Sequence, residues 1–86
     1  MYVIAVYDVA ANRTHQPRTL LRQYLTHVQN SVFEGEVTKG ELDVLNRELE
    51  SLLQEGESAI VYAADAEQYL DRTAIGDDPR DDHQFI

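Results

Sequence analysis

Met1-Tyr2-Val3-Ile4-Ala5-Val6-Tyr7-Asp8 is the stretch that decides the fold. Tyr2 to Tyr7 are aromatic, β-branched or small apolar residues with no breaker among them, and the run stops abruptly at a carboxylate. Such a run predicts a strand buried on both faces, at the centre of a sheet rather than its edge. Asp8 then stands at the carboxyl end of that strand, where open α/β-type sheets tend to hold ligands. The competing reading is that Asp8 only begins the next turn, a common task for aspartate.

Working outward, residues 9–17 (Val-Ala-Ala-Asn-Arg-Thr-His-Gln-Pro) are polar and lack apolar rhythm, as expected of a loop leading into a helix. Thr14 or Gln16 stands near the N-cap and Pro17 suits the first helical turn. Leu20, Leu21, Tyr24, Leu25 and Val28 recur at helical spacing and predict one buried stripe. Arg18 and Arg22, four apart, share another face. Residues 27–37 form a second extended segment with neither face cleanly apolar, and Gly35 suggests a bend or bulge, so one bent strand or two short ones are expected there. From Thr38 to Glu55 runs the clearest helix. Thr38 and Glu41 make a capping box, Leu42, Leu45, Leu49, Leu52 and Leu53 a core stripe, and Gly56 a stop. Residues 58–64 read as a second buried strand, Asp65 to Tyr69 as a turn or brief helix, and Leu70 to Ile75 as a weak outer strand ending at Gly76.

This order predicts an α+β, ferredoxin-like two-layer sandwich over residues 1–76, with two helices on one face of the sheet. Residues 77–86 then read as an acidic linker and a docking tail, closed by Phe85 and Ile86. The sheet's other face would be bare. A second copy stacked sheet to sheet would cover it, so a two-fold homodimer is expected. With 86 residues the chain is one small domain, and with no cysteine it has neither disulfides nor a thiolate zinc site to steady it. No apolar run approaches membrane-spanning length and no basic leader precedes the strand, which predicts a cytoplasmic protein without membrane contact.

The charge is uneven. Residues 1–33 hold one acid, Asp8, and three arginines, for a net of +2, whereas residues 34–86 hold 15 acids against four bases, for a net of −11. Overall acidity argues against a nucleic-acid binder, but the N-terminal third does not share it. Scarce lysine with abundant carboxylates suits a halophilic cytoplasm, where high salt reduces what phosphate contacts gain from counterion release.

Tyr7-Asp8 closing an N-terminal strand, followed by Val28-Gln29-Asn30-Ser31-Val32-Phe33-Glu34-Gly35-Glu36-Val37, resembles the CRISPR-associated protein two family, the small partner of the CRISPR integrase. The resemblance covers essentially the whole chain. It implies a ferredoxin-like homodimer whose C-terminal strand crosses to the other protomer, and a role in spacer acquisition with the integrase subunit, CRISPR-associated protein one. It also implies a magnesium-dependent endonuclease acting on RNA or DNA. Under the resemblance Asp8 binds Mg²⁺ together with Asp8 of the partner subunit, Tyr7, Ser31 and Phe33 surround the cleft, and Arg13 or Arg18 takes the place of the family's basic residues after the first strand. The loop carrying these arginines looks shorter than the family's, with different spacing.

The chemistry is consistent with that assignment. Phosphodiester hydrolysis needs a Lewis acid, and hard Mg²⁺ prefers carboxylate oxygen. A two-fold axis beside the strand ends would bring two carboxylates together, and an arginine could grip the phosphate bidentately. His15, His27 and His83 are isolated in sequence and offer no alternative cage. Two further readings stay open: a non-catalytic dimeric scaffold bridging integrase subunits and prespacer DNA, and a regulatory domain binding a metabolite, which no glycine-rich loop supports.

Overall fold

A computed structural model describes residues 1–78 of the chain. The opening run forms β1 (Tyr2–Asp8), followed by a 3₁₀ turn (Ala11–Arg13) and α1 (His15–Leu21). A hairpin of β2 (Thr26–Gln29) and β3 (Val32–Glu36) leads to α2 (Lys39–Leu52) and β4 (Ser58–Ala64), with a last 3₁₀ turn at Glu67–Tyr69. The sheet order is β2-β3-β1-β4, and every neighbouring pair is antiparallel. Two crossovers with both helices packed on one face make this the ferredoxin-like sandwich. As its composition requires, β1 is central, flanked by β3 and β4.

Alternation along β1 then sorts every position. Val3, Ala5 and Tyr7 face the helices and are buried with Phe33 of β3, Leu21 and Leu25 from the α1 region, and Leu42, Leu45 and Leu49 of α2. Ile4, Val6 and Asp8 face the other way, beside Val32 and Glu34 of β3 and Ser58, Ile60 and Tyr62 of β4. That second face is largely open: Ile60 is 54% and Tyr62 59% exposed. Residues 58–64 are therefore not a strand buried on both faces. They are an edge strand whose Ala59 and Val61 pack inward while Ile60 and Tyr62 point outward.

α2 carries the expected capping box: Thr38 Oγ1 accepts from the Glu41 amide at 3.0 Å, and the Glu41 side chain accepts from the Thr38 amide at 2.8 Å. It ends three residues before Glu55, because Leu53 has already turned extended, and Gly56 makes the following turn at φ +84. α1 stops at Leu21, so the apolar stripe splits. Leu20, Leu21 and Leu25 still bury against the core, but Val28 belongs to β2 and the opposite face of the sheet. A four-residue step from Tyr24 fits a helix, yet Thr26-His27-Val28 favours extended backbone. The bend expected at Gly35 lies instead at Asn30, which takes φ +43 in the tight connection between β2 and β3. Gly35 is ordinary strand, and its missing side chain makes room for Leu25, whose Cδ2 would lie 3.4 Å from a Cβ there.

Residues 70–75 form no strand. They run irregularly over the open face beside β2 and β3, held by Arg72, whose Nε lies 2.7 Å from the buried Glu34 and whose Nη1 and Nη2 donate to Asp78. Asp78, assigned from composition to the linker, is thus tied back to the sheet. The rest of the linker and the Phe85-Ile86 tail lie outside the described residues.

Candidate functional site

Asp8 is the last residue of β1 and the last on its open face. The sheet brings Ser58, the first residue of β4, opposite it. On the other side the hairpin turn closes in: the Tyr7 amide donates to the Ser31 carbonyl at 3.3 Å. His27 braces this turn, its Nε2 2.7 Å from the Asn30 carbonyl oxygen and its ring 4.7 Å from that of Phe33. The Asp8 side chain is exposed and has no hydrogen-bond or ion-pair partner among the described residues. It is a ready oxygen ligand. Among the described residues no three acidic, histidine or cysteine side chains gather as a metal cage. Magnesium, however, is commonly held by one or two carboxylates with substrate phosphate and water completing the shell, so an isolated exposed Asp8 suits a shared site rather than a self-contained one.

The remaining candidates separate. Tyr7 and Phe33 point into the core, Phe33 with no exposed surface and Tyr7 with 6%, their rings 6.3 Å apart. Their side chains are out of reach of a nucleic acid, and β-alternation is the reason: both lie on the helix-covered face, opposite to that of Asp8. Ser31 stays partly exposed at the turn beside Tyr7. Arg18 is partly buried on α1 and makes no ion pair among the described residues.

Arg13 is engaged elsewhere. Its Nε and Nη2 fork onto the two oxygens of Glu57 at 2.8 and 3.0 Å, Nη2 also donates to the Leu52 carbonyl at 2.7 Å, and Nη1 reaches Gln16 Oε1 at 3.4 Å. With so many of its donors taken, Arg13 ties the 3₁₀ turn to the loop between α2 and β4. The Arg13 guanidinium, with the Gln54 and Ala10 amides, holds the Glu57 carboxyl down at about 2. Arg72 is shifted the other way, pushed up by its hydrogen bonds to Asp78 and by Glu34. Neither the place of Glu57 beside the site nor the place of Arg72 on the open face was legible in the sequence. Each binds a partner tens of residues away, and a lone acid after Gly56 gives no local signal.

Residues 1–72 match the family model for CRISPR associated protein Cas2. The chain belongs to the Cas2 family. It is 46% identical over 77 residues to the CRISPR-associated endoribonuclease Cas2 of Haloferax volcanii, spanning 90% of each chain. It is 40% identical to that of Methanosarcina acetivorans over the full length of both. A Cas2 crystal structure superposes with a TM-score of 0.81 at 40% identity, covering 91% of this chain and 88% of the other. Streptococcus pyogenes Cas2, crystallised at pH 6.5, superposes at 0.70 with 26% identity, covering 86% and 100%. Membership agrees with the sandwich and with the motif running from Val28 to Val37, whose Phe33 and Glu34 prove to be buried, one on each face of β3. Among the described residues no helix is long and apolar enough to cross a membrane.

Proposed function

We propose that this Cas2 chain works as a two-fold homodimer in CRISPR adaptation, cutting phosphodiester bonds in RNA or DNA at a Mg²⁺ site shared by the two Asp8 carboxylates. The observation that carries this is one exposed, unpaired carboxylate at the rim of an uncovered apolar face that includes Ile4, Val6, Ile60 and Tyr62. Stacking two such faces about an axis near the strand ends would bury the apolar residues and bring the carboxylates together. The relatives' name, endoribonuclease, supports the reaction class.

In this mechanism Asp8 holds the metal, which when bound supplies positive charge to the phosphate and lowers the pKa of a coordinated water. Ser31 and Ser58 flank Asp8 and offer hydroxyls to sugar or phosphate oxygens. Arg18, whose guanidinium is uncommitted among the described residues, grips a neighbouring phosphate. Arg13 is the weaker choice for that task, because freeing it would break the fork with Glu57.

A second reading rests on the open apolar face, which supports a dimer whether or not Asp8 holds a metal. The dimer then acts as a non-catalytic scaffold that bridges integrase subunits and sets the length of captured DNA. Asp8→Asn separates the two. Loss of magnesium-dependent cleavage in vitro together with loss of spacer acquisition in cells supports the nuclease. Loss of cleavage with acquisition intact leaves the scaffold as the cellular role. A wild-type protein that cuts neither RNA nor DNA with Mg²⁺ ends the nuclease reading.

A further inference from the structure

The chain leaving Asp8 has no sheet to hold it. After Asp8, β1 ends, and residues 9 and 10 run free of regular structure before the 3₁₀ turn. An exposed strand end of this kind frays unless something outside the sheet ties it down. Val9 packs against the core and the Ala10 carbonyl accepts from the Arg13 amide at 2.8 Å, and one side chain joins this segment to the start of β4. Glu57 Oε2 accepts from the Ala10 amide at 3.2 Å and from Arg13 Nε at 2.8 Å, while Oε1 accepts from Arg13 Nη2 at 3.0 Å and the Gln54 amide at 2.9 Å. Although it sits in a surface loop, its side chain is only 7% exposed. Glu57 also directly precedes Ser58, the residue paired with Asp8 across the sheet. One carboxylate therefore fixes the backbone two residues beyond Asp8 and the backbone beside its cross-strand neighbour.

We propose that Glu57, with Arg13 as its counter-ion, is a positioning residue for Asp8, setting the direction of the Asp8 carboxylate toward the metal and its partner across the two-fold axis. The inference rests on Asp8 being the metal ligand. It differs from a purely structural role in what it predicts: a bracket that only closed the α2–β4 turn would change stability and leave metal binding alone. A site shared between two chains has the stricter need, since both carboxylates must converge on one ion and no three-ligand cage among the described residues of either chain could compensate. Outer partners of this sort commonly change metal affinity by about 10–100-fold.

The test is a Mg²⁺ titration of the ¹⁵N-labelled full chain, following the Asp8 and Ser58 amides, alongside thermal unfolding and cleavage as a function of Mg²⁺. Glu57→Gln places an amide N–H against the Arg13 fork, and Arg13→Lys keeps the charge but cannot fork. Each is expected to raise the Mg²⁺ half-saturation by about tenfold, with cleavage recovering largely at saturating Mg²⁺. Thr38→Ala, which removes the capping box of α2, serves as the control for plain destabilisation and should lower the unfolding midpoint with the titration unchanged. If both bracket variants fold and titrate like the wild type, or if Thr38→Ala shifts the titration as much as they do, Glu57 is structural only and the proposal is overturned while the Asp8 site stands. If the wild-type Asp8 amide ignores Mg²⁺, or Asp8→Asn titrates like the wild type, the site itself falls and the positioning role with it.

Discussion

At the scale of single residues, two carboxylates, the buried Glu34 and the half-buried Glu57, tie irregular chain to the sheet. Glu57 titrates far below an ordinary glutamate because it accepts the Arg13 fork and two backbone amides. A depressed folded-state value means stability that is complete above the unfolded value of 4.5 and lost as pH falls through about 2. The stability gap between wild type and Glu57→Gln, measured by denaturant unfolding, should thus be steady above pH 5, shrink below about 4.5 and close near 2. A gap that stays constant down to pH 2 would mean that the charge contributes nothing. Glu34 depends on Arg72 in a similar way, being 3% exposed with Arg72 Nε 2.7 Å away. Arg72→Ala removes that cation and one end of the link to Asp78, and is expected to cost about 1–3 kcal/mol in equilibrium unfolding. Double replacement with Glu34→Gln should cost less than the two single changes together, because the desolvated charge leaves along with its partner.

At the scale of elements, what could be read from the sequence was what local chemistry dictates. An unbroken apolar run specifies β1 as central, and Thr38 with Glu41 fixes the start of α2 to the residue. The core stripe of α2 follows from period, and Leu45→Ala, at a fully buried position between helix and sheet, should cost about 2–5 kcal/mol by chemical denaturation. A loss below 1 kcal/mol would show that the helix layer can collapse onto the gap. Residues 22–37 were harder, since Val28 satisfies helical spacing and strand alternation at once. The glycine of that region also drew attention from Asn30, which makes the turn. Asp8 was legible as the end of β1, because a strand that ends in a carboxylate announces its own boundary. Tyr7 and Phe33 were misplaced because a motif carries residue identity without facing: alternation puts them opposite Asp8, where conformity to the motif reflects packing. The Glu57 bracket had no local trace, since its partners stand three to 47 residues away and only the closed fold unites them.

At the scale of the whole molecule, the imbalance between the two faces of the sheet sets the terms. Both helices cover one face, while the other keeps Ile60 and Tyr62 more than half exposed beside Ile4 and Val6. A domain this small has little core to spare, and a contiguous apolar face is the natural place for a second copy. Residues 70–78 already shield the β2–β3 side through Arg72, which leaves the β1–β4 side as the part to be covered. Tyr62→Asp puts a charge at the middle of that surface without touching the helix-side core, so the single chain should fold with its unfolding midpoint little changed. Sedimentation velocity should then give a species of one chain mass where the wild type gives two. Cleavage should disappear with the dimer, since the described residues of one chain gather no three acidic, histidine or cysteine side chains to hold a metal. Restoring pairing by other means, such as a covalent link between two Tyr62→Asp chains, should restore part of the activity if the two Asp8 carboxylates need only proximity. A Tyr62→Asp protein that remains dimeric and active would move the two-fold interface off this face, and with it the site at the end of β1.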